Sequence, residues 1–305
     1  MRAFLERLPL PAGCVSLGMI GLGMLLRPYG KAFLCLFGLA ALILLLLVWA
    51  KLCIPEEREK AFHDLVMLGL VAGSAMSCMM LSAQAKAEFG IGWAVFPWYF
   101  GVLLHLFVIG VFSIKLVKEH PAAKTVRGAW LLVYVGIAAA AITAPAFSAE
   151  LIGRILLVPA AAGAVILLPL VYKAQRLNPE MPEGQQPLFC ISAAPVSIWL
   201  AGYLRSSISA SKTEALILAL FALVFYIPAL LHCLKYIKGR FYPSFAAFTF
   251  PFVINASALK QTSALLEPSG FTAVLFNVLI TAETVIAALL CVYVLYRYIK
   301  LMCSR

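Results

Sequence analysis

The fold is decided by residues 241–261, which read FYPSFAAFTFPFVINASALKQ. The stretch is apolar and long enough to cross a bilayer, yet Pro251 stands in its middle, with Phe250 directly before it and Asn255 one turn after it. Proline inside a helix removes a backbone hydrogen bond and clashes with the preceding turn. In hydrocarbon, such a break is tolerated only where the freed groups face protein or a water-filled cavity. The segment is therefore either a helix beside a transport pathway or an ordinary kinked helix, since proline is fairly common in membrane helices.

The composition is that of an all-α polytopic membrane protein. Of the 305 residues, 64% are hydrophobic and only 12% are charged, which leaves too little polar surface for a soluble domain. Apolar runs of about 20 residues recur from end to end, and each can span about 30 Å of hydrocarbon. The net charge of +11 lies largely in short loops between these runs, which indicates membrane topology and no binding of nucleic acid. The first run lacks a following small-residue cleavage site, so we expect no removable signal peptide.

Ten transmembrane helices are predicted in a single transmembrane domain covering residues 1–305. The spans are residues 11–28, 32–51, 64–84, 92–117, 126–147, 151–173, 187–204, 213–236, 243–261 and 271–299. Links after odd-numbered spans are mostly short, and links after even-numbered spans are mostly longer and more charged. This alternation predicts five helical hairpins in a row.

The distribution of basic residues predicts the orientation. Most of the 24 lysines and arginines, Lys124 and Arg305 among them, fall on the side that holds both termini. The positive-inside rule makes this side cytoplasmic, as expected for a multi-pass protein of the plasma (inner) membrane. The opposite side holds Arg27, Lys31, Lys86, Arg154, Arg205, Lys212 and Lys260. Arg205 and Lys212 are candidates for collecting anions at the outer mouth, or they are charges of no consequence.

The odd and even spans differ in side-chain size. Odd spans are rich in Gly, Ala and Ser, whereas even spans carry bulky faces suited to lipid. Small residues let helices approach closely or leave space between them, so the odd spans either surround a central pore or pack tightly without one. Helix breaks favour the pore and are predicted at Gly69, Gly73, Pro145, Pro195 and Pro251.

Polar side chains on the odd spans are candidates for lining such a pore. They are Ser74, Ser77, Ser192, Ser197, Asn255 and Ser257. Hydroxyls and amides donate hydrogen bonds to an anion while it sheds water, without holding it strongly. Each of them is equally suited to a hydrogen bond between packed helices.

Three motifs carry a resemblance to a known family. They are Leu8–Gly13 followed by Leu17 and Gly18, Tyr242–Ser244 followed by Ala247–Pro251, and the link from Pro169 through Arg176, Pro179 and Glu180 to Ala194 and Pro195. With five hairpins, this pattern resembles the tellurite-resistance/dicarboxylate transporter (TDT) family, which includes bacterial TehA and the plant guard-cell slow-type anion channels.

The resemblance implies a homotrimer in which each subunit has its own pore, lined by the odd spans. It also implies that a phenylalanine plugs the pore, and Phe250 stands at that position. Gly69 and Gly136 occupy places where the family pattern has prolines, and glycine permits a bend without forcing one. Trimer contacts are expected on the outer face of even spans, at Trp93, Phe96, Trp98, Tyr99 and Phe100.

Few titratable residues lie deep in the spans. Glu283 in the tenth span is either a structural acid bonded to Asn277 or Thr281, or a coupling group. Asp64 is expected to cap the third span. His63, His105 and His232 are not paired at one depth, which disfavours a haem-binding anchor of a redox enzyme. No metal-ligand spacing, phosphate-binding loop or catalytic triad is visible, so we expect neither cofactor, metal nor enzymatic activity.

Two transport functions stay open. A passive anion channel or channel-like exporter fits a mostly neutral path for small inorganic or organic anions. A secondary, proton-coupled carrier of C4-dicarboxylates or a related organic anion would need a fixed charge near the midplane of the membrane. The odd spans offer no such Arg or Lys, which favours the channel.

Overall fold

A computed structural model describes residues 2–119, 125–178 and 181–303. Lys124 and Arg305 from the charge distribution, and Pro179 and Glu180 from the family-like link, lie outside the described residues. All regular elements of the described part are helices. The α-helices are α1 Arg2–Arg7, α2 Ala12–Leu26, α3 Lys31–Leu52, α4 Pro55–His63, α5 Leu65–Phe89, α6 Val95–Glu119, α7 Ala129–Tyr134, α8 Ala138–Thr143, α9 Glu150–Leu177, α10 Ala194–Ser206, α11 Lys212–Tyr236, α12 Phe250–Leu266 and α13 Gly270–Cys303.

In the described ranges, 8 helical stretches are long and apolar enough to cross a membrane. Seven of them contain α2, α3, α5, α6, α9, α11 and α13, and the other is Glu183–Ser206, a 3₁₀ segment that continues into α10. The predicted fifth and ninth spans fall where the helix is interrupted. The former holds α7, α8 and the 3₁₀ turn Ala144–Phe147, and the latter holds the 3₁₀ segment Pro243–Phe248 and α12. The class of polytopic, all-helical membrane protein is confirmed.

Burial separates an inner set of helices from an outer set. In Ala12–Tyr29, Leu65–Phe89 and Glu183–Ser206, between 72% and 83% of the most apolar stretch is buried inside the protein. The other five candidate spans are only 28% to 33% buried, so most of their side chains face outward. The inner set corresponds to predicted odd spans and the outer set to predicted even spans.

The aromatic residues near the start of α6 do not all face outward. Trp93, Phe96, Tyr99 and Phe100 are exposed. Trp98 is fully buried, and its Nε1 donates a hydrogen bond to Thr143 Oγ1 at 2.8 Å. The prediction that Trp98 lies on an outer contact face is therefore wrong, because its indole N–H has a partner inside the protein.

Glycines allow the inner helices to approach one another. A Cβ on Gly69 would lie 2.8 Å from the Ala129 carbonyl oxygen, and one on Gly73 would lie 2.4 Å from Cys14 Sγ. The prediction of helix breaks at Gly69 and Gly73 is wrong, since α5 runs without interruption from Leu65 to Phe89. These glycines serve close packing, which uses their lack of a side chain and not their backbone freedom.

The inner helices are interrupted at other places. Residues 135–137 separate α7 from α8, with Gly136 in the middle. Pro145 lies in the 3₁₀ turn that ends this segment. Pro195 and Pro251 each occupy the second residue of an α-helix, after a 3₁₀ segment. Proline fits the first helical turn because the N–H that it lacks would have had no partner there.

At the face that carries the described ends of the chain, hereafter the termini face, a buried lysine ties three helices together. Lys51 Nζ, at the end of α3, donates to the carbonyl oxygens of Leu5 and Glu6 at 3.0 Å. It also pairs with the Glu57 carboxylate of α4 at 2.7 Å. On the same face Asp64 accepts hydrogen bonds from Val66 N and Met67 N, which confirms the predicted cap.

Gly69→Ala should destabilise the protein, because the new methyl would press on the Ala129 backbone, which cannot rotate away. Overpacking of this kind costs about 1–3 kcal/mol. The matched control is Gly110→Ala in α6, where nothing lies within 4 Å of the new Cβ. Thermal unfolding of purified protein in mild detergent should show a lower Tm only for Gly69→Ala. Equal Tm values for the two variants would contradict the packing role.

Glu57→Gln should remove a pH-dependent part of the stability. Hydrogen bonds from Lys51 and then Lys60 lower the pKa of Glu57. A lowered pKa stabilises the fold above the unfolded value of about 4.3, and this contribution is lost as the pH falls through the folded value. Removing the charged acceptor should cost about 1.5–3 kcal/mol at neutral pH. Unfolding curves measured from neutral to acidic pH should converge for wild type and variant.

The control for this variant is Glu59→Gln, an exposed acid on the same helix. Its unfolding curve should run parallel to that of the wild type at every pH. Parallel curves for Glu57→Gln as well would show that its bond to Lys51 contributes nothing.

Candidate functional site

A small apolar cavity of ≈ 30 Å³, hereafter the central cavity, lies where the inner segments meet. Each of five segments contributes to its wall: Leu17 from α2, Met76 from α5, Gly136 from the interruption after α7, Pro195 from α10 and Phe250 from α12. A space of this size holds a few water molecules at most, and apolar cavities tend to stay dry. No charged side chain of the described residues lines it.

A second cavity of ≈ 210 Å³, hereafter the vestibule, lies farther along the same helices. On α2, Cys14 and Leu17 line the central cavity, and Gly21 and Met24 line the vestibule. The two cavities are therefore stacked along the helix direction. Among the described residues, Phe250 is the one residue that lines both cavities.

The position of Phe250 results from the break before it. The backbone leaves helical geometry at Thr249, with φ −103° and ψ −89°, and Phe250 is the first residue of α12. Although proline disfavours helical geometry in the residue before it, Phe250 is helical, and the departure falls one residue earlier, at Thr249. The Phe250 side chain is buried, and its ring packs over Gly21, where an added Cβ would lie 3.5 Å from Cδ2.

Neighbouring phenylalanines have different surroundings. Phe248 and Phe252 are fully buried and line neither cavity. The Phe248 ring lies 4.8 Å from that of Phe245, and the Phe252 ring lies 5.5 Å from that of Tyr226. They are packing residues, and only Phe250 of this aromatic cluster borders both cavities.

Two basic side chains line the vestibule. Arg205 and Lys260 line it together with Ser257 and Gln261. Arg205 is exposed and forms no ion pair with any residue in the described ranges. Lys260 Nζ donates to the Leu25 carbonyl oxygen at 3.4 Å. The vestibule thus presents two basic side chains that form no ion pair with a carboxylate of the described residues.

An adjoining cavity of ≈ 160 Å³ shares Met24, Ile142 and Arg205 with the vestibule. It also holds Arg27 and Glu88. The Arg27 guanidinium donates to both carboxylate oxygens of Glu88, at 2.9 and 3.1 Å, so this pair is electrically balanced.

Of the two predicted outer-mouth cations, Arg205 lines the vestibule and Lys212 does not. Lys212 lines neither the vestibule nor the adjoining cavity, and its ammonium lies 3.7 Å from the Glu267 carboxylate on the surface. Lys260 lines the vestibule instead. The sequence analysis predicted only that Lys260 lies on the same side of the membrane as Arg205 and Lys212. Its place inside α12, on the face that lines the vestibule, could not be predicted from composition.

Of the predicted pore-lining polar residues, one lines the vestibule and the others do not. Ser257 lines the vestibule. Ser74 Oγ donates to the Val71 carbonyl oxygen at 2.8 Å, and Ser77 Oγ lies 2.6 Å from Ser16 Oγ. Both serines therefore bond within or between helices and line neither cavity.

The other polar candidates lie between α10 and α12. Asn255 Nδ2 donates to Ser197 Oγ at 2.7 Å and to the Ala193 carbonyl oxygen at 3.3 Å. Ser192 is buried, and its Oγ has no partner within the described part of the chain. Neither Asn255, Ser197 nor Ser192 lines a cavity described above, so the expectation that they face the path is corrected to helix packing.

The buried titratable residues Glu283 and His105 line neither the central cavity nor the vestibule. Glu283 is buried in α13, and the described part of the chain supplies no hydrogen-bond partner for its Oε2. Among the described residues, no hydrogen bond joins Glu283 to Asn277 or Thr281, the two partners predicted for a structural role. His105 of α6 lies 2.9 Å through Nε2 from the Val133 carbonyl oxygen, behind Gly136. In the described ranges no group of three or more His, Cys, Asp or Glu is placed to hold a metal ion.

The family model of the voltage-dependent anion channels, SLAC1, matches residues 8–299, and the chain therefore belongs to this family. The resemblance to the tellurite-resistance/dicarboxylate transporter family is thereby confirmed. No individual curated protein matches the sequence. Membership establishes anion transport by a channel-like membrane protein.

Arg205→Gln should lower anion conductance at low ionic strength, whereas Lys212→Gln should not. A cation at the vestibule raises the local anion concentration, and its removal should lower conductance about twofold or more. The difference should shrink as salt shortens the Debye length from about 10 Å at 0.1 M to about 3 Å at 1 M. Currents of both variants are compared with wild type in planar bilayers over this range. Equal effects of the two substitutions would contradict the assignment.

Proposed function

We propose that this member of the voltage-dependent anion channel family is a gated anion channel or channel-like exporter. Its pathway runs through the central cavity and the vestibule, and the Phe250 ring closes it. The observation that carries the proposal is that Phe250 lines both cavities while its aromatic neighbours line neither. The five segments around the central cavity are the predicted odd spans, which supports a pore lined by them.

A phenyl ring closes such a path without any charge. In a narrow apolar channel it blocks ions sterically and also excludes water, so that the ion cannot keep its hydration shell. Rotation of the ring away from the axis would join the two cavities into one path.

The charges along the path favour anions. Arg205 and Lys260 attract them to the vestibule, and the central cavity carries no charge that would hold them. An ion pathway needs sites that are favourable enough to enter and weak enough to leave. This arrangement supports passive passage of small anions.

We further propose a single transmembrane domain with ten membrane crossings, arranged as five hairpins. Two of the ten crossings are the interrupted segments 129–147 and 243–266. The protein is proposed to lie in the plasma (inner) membrane. The termini face is proposed to lie in the cytoplasm, because it carries most of the basic residues. A homotrimer is proposed, with contacts on the exposed aromatics Trp93, Phe96, Tyr99 and Phe100.

A second candidate function is proton-coupled carriage of a C4-dicarboxylate or related organic anion. Glu283 is the observation that favours it, since a buried acid in a membrane helix is typical of coupled carriers. Reconstituted flux of chloride, nitrate and malate, with and without a proton gradient, separates the two functions. A channel passes chloride and nitrate down their gradients without protons. Proton-dependent malate uptake with no chloride flux would contradict the channel.

Phe250→Ala should raise anion current about tenfold or more, which requires a barrier only about 1.4 kcal/mol lower. Phe250→Leu, which keeps part of the apolar bulk, should give an intermediate current. Whole-cell or bilayer currents are compared at equal amounts of protein in the membrane. Removing a buried ring costs about 3–5 kcal/mol of stability, so each variant is first checked for a cooperative unfolding transition.

Phe248→Ala and Phe252→Ala are the matched controls, because each removes a fully buried ring from the same segment without opening either cavity. Their currents should stay near that of the wild type. A wild-type current in folded Phe250→Ala, or the same increase in all three variants, would defeat the proposed gate.

A further inference from the structure

A cleft of ≈ 240 Å³ opens on the termini face, apart from the path described above. It lies between the end of α11, the link that follows, and the starts of the two 3₁₀ segments Glu183–Ala193 and Pro243–Phe248. Two cations, two tyrosines, one acid and one phenylalanine supply its main side chains. They are Lys235, Arg240, Tyr236, Tyr242, Glu183 and Phe245.

Aromatic rings hold the two cations at the walls of the cleft. Lys235 Nζ lies 5.3 Å from the centroid of the Tyr236 ring, and Arg240 Cζ lies 5.9 Å from that of Tyr242. Neither cation forms an ion pair with a carboxylate of the described residues. Both side chains are exposed, so their N–H donors are available to a ligand.

The acid of the cleft already has a partner. The Tyr242 hydroxyl donates to Glu183 Oε2 at 2.8 Å. This bond raises the pKa of Tyr242, so the phenol stays neutral at physiological pH. The cleft therefore carries two cations without carboxylate partners against one hydrogen-bonded carboxylate, and it favours an anion.

We propose that this cleft binds the phosphate group of an anionic phospholipid, with Arg240 and Lys235 as its donors. Guanidinium and ammonium groups form strong charge-assisted hydrogen bonds with phosphate oxygens. The cleft lies where α11 leaves its apolar stretch, which is the depth of lipid headgroups. Basic pockets between membrane helices on the cytoplasmic side are typical headgroup sites. Free inorganic phosphate shares this chemistry, but it lacks an acyl chain that would keep it at this depth.

The location gives the site a structural consequence. Glu183 and Pro187 lie in the 3₁₀ segment that leads to Pro195, and Phe245 lies in the one that leads to Phe250. A bound headgroup thus touches the starts of both interrupted inner segments. Lipid binding is proposed independently of the gate, since it needs only the cleft.

The test measures lipid binding and not current, so its failure leaves the proposed channel untouched. Purified protein in detergent is titrated with phosphatidylglycerol, and bound lipid is counted by native mass spectrometry. The double variant Lys235→Gln/Arg240→Gln should bind about tenfold more weakly or worse, as expected for the loss of one or two charged hydrogen bonds. Phosphatidylcholine, which has no net charge, should bind more weakly to the wild type than phosphatidylglycerol does.

The matched control is Lys118→Gln/Lys300→Gln, which makes the same change of charge at exposed lysines of the termini face outside the cleft. It should keep wild-type affinity. Glu183→Gln removes the acid of the cleft and should strengthen binding, a gain that misfolding cannot mimic. Equal affinities of both double variants would overturn the site. Saturation by inorganic phosphate alone, without retention of phosphatidylglycerol, would overturn the lipid assignment.

Discussion

The structure depends on the close approach of α2 to the break before α12. Thr249 leaves helical geometry inside the membrane-spanning part, and a Cβ on Gly18 would lie 2.5 Å from its Cβ. The Thr249 hydroxyl donates to the Ala246 carbonyl oxygen at 2.7 Å and lies 3.4 Å from that of Cys14. In hydrocarbon, backbone groups freed by a break must find partners within the protein. The break is therefore stable only because α2, with a glycine at the contact, covers it.

The prolines of the inner segments were predictable from the sequence, and most glycines were not. Pro195 and Pro251 mark helix starts, because proline is disfavoured in helix interiors and fits a first turn. In the outer helices the rule is weaker, since Pro159 and Pro169 lie inside α9 and Pro228 inside α11. Glycine has no such rule. Gly69 lies in a continuous helix and Gly136 in an interruption, and the difference depends on contacts with residues far away in sequence, such as Ala129 and Met76. A single sequence shows the type of each residue but not which distant residues it will contact in the fold.

The same limit applies to the polar residues. Ser77 and Ser257 look alike in sequence, yet the hydroxyl of Ser77 lies against Ser16, 61 positions away, while Ser257 borders the vestibule. The same holds for Arg205 and Lys212, which lie only a few residues apart. Arg205 lines the vestibule, whereas Lys212 lies against Glu267 on the surface. Periodicity and composition predicted which segments are inside. They did not predict which face of each segment meets the cavity, because that depends on contacts between residues far apart in sequence, such as Ser77 with Ser16.

The contacts of the backbone on either side of Phe250 indicate how the proposed gate would open. Thr249 packs against Gly18 of α2, where an added Cβ would lie 2.5 Å from the Thr249 Cβ, and five residues after Phe250, Asn255 donates to Ser197 and Ala193. Moving this part of α12 as a body would break the two buried hydrogen bonds of Asn255, each with a net value of about 1 kcal/mol, and would also disturb the contact between Thr249 and Gly18. Turning the ring alone requires a change of rotamer, and even a strained rotamer costs only about 0.5–1.5 kcal/mol. Because the backbone is fixed on both sides of Phe250 while its ring borders open space, side-chain rotation is the opening motion that disturbs the fold least.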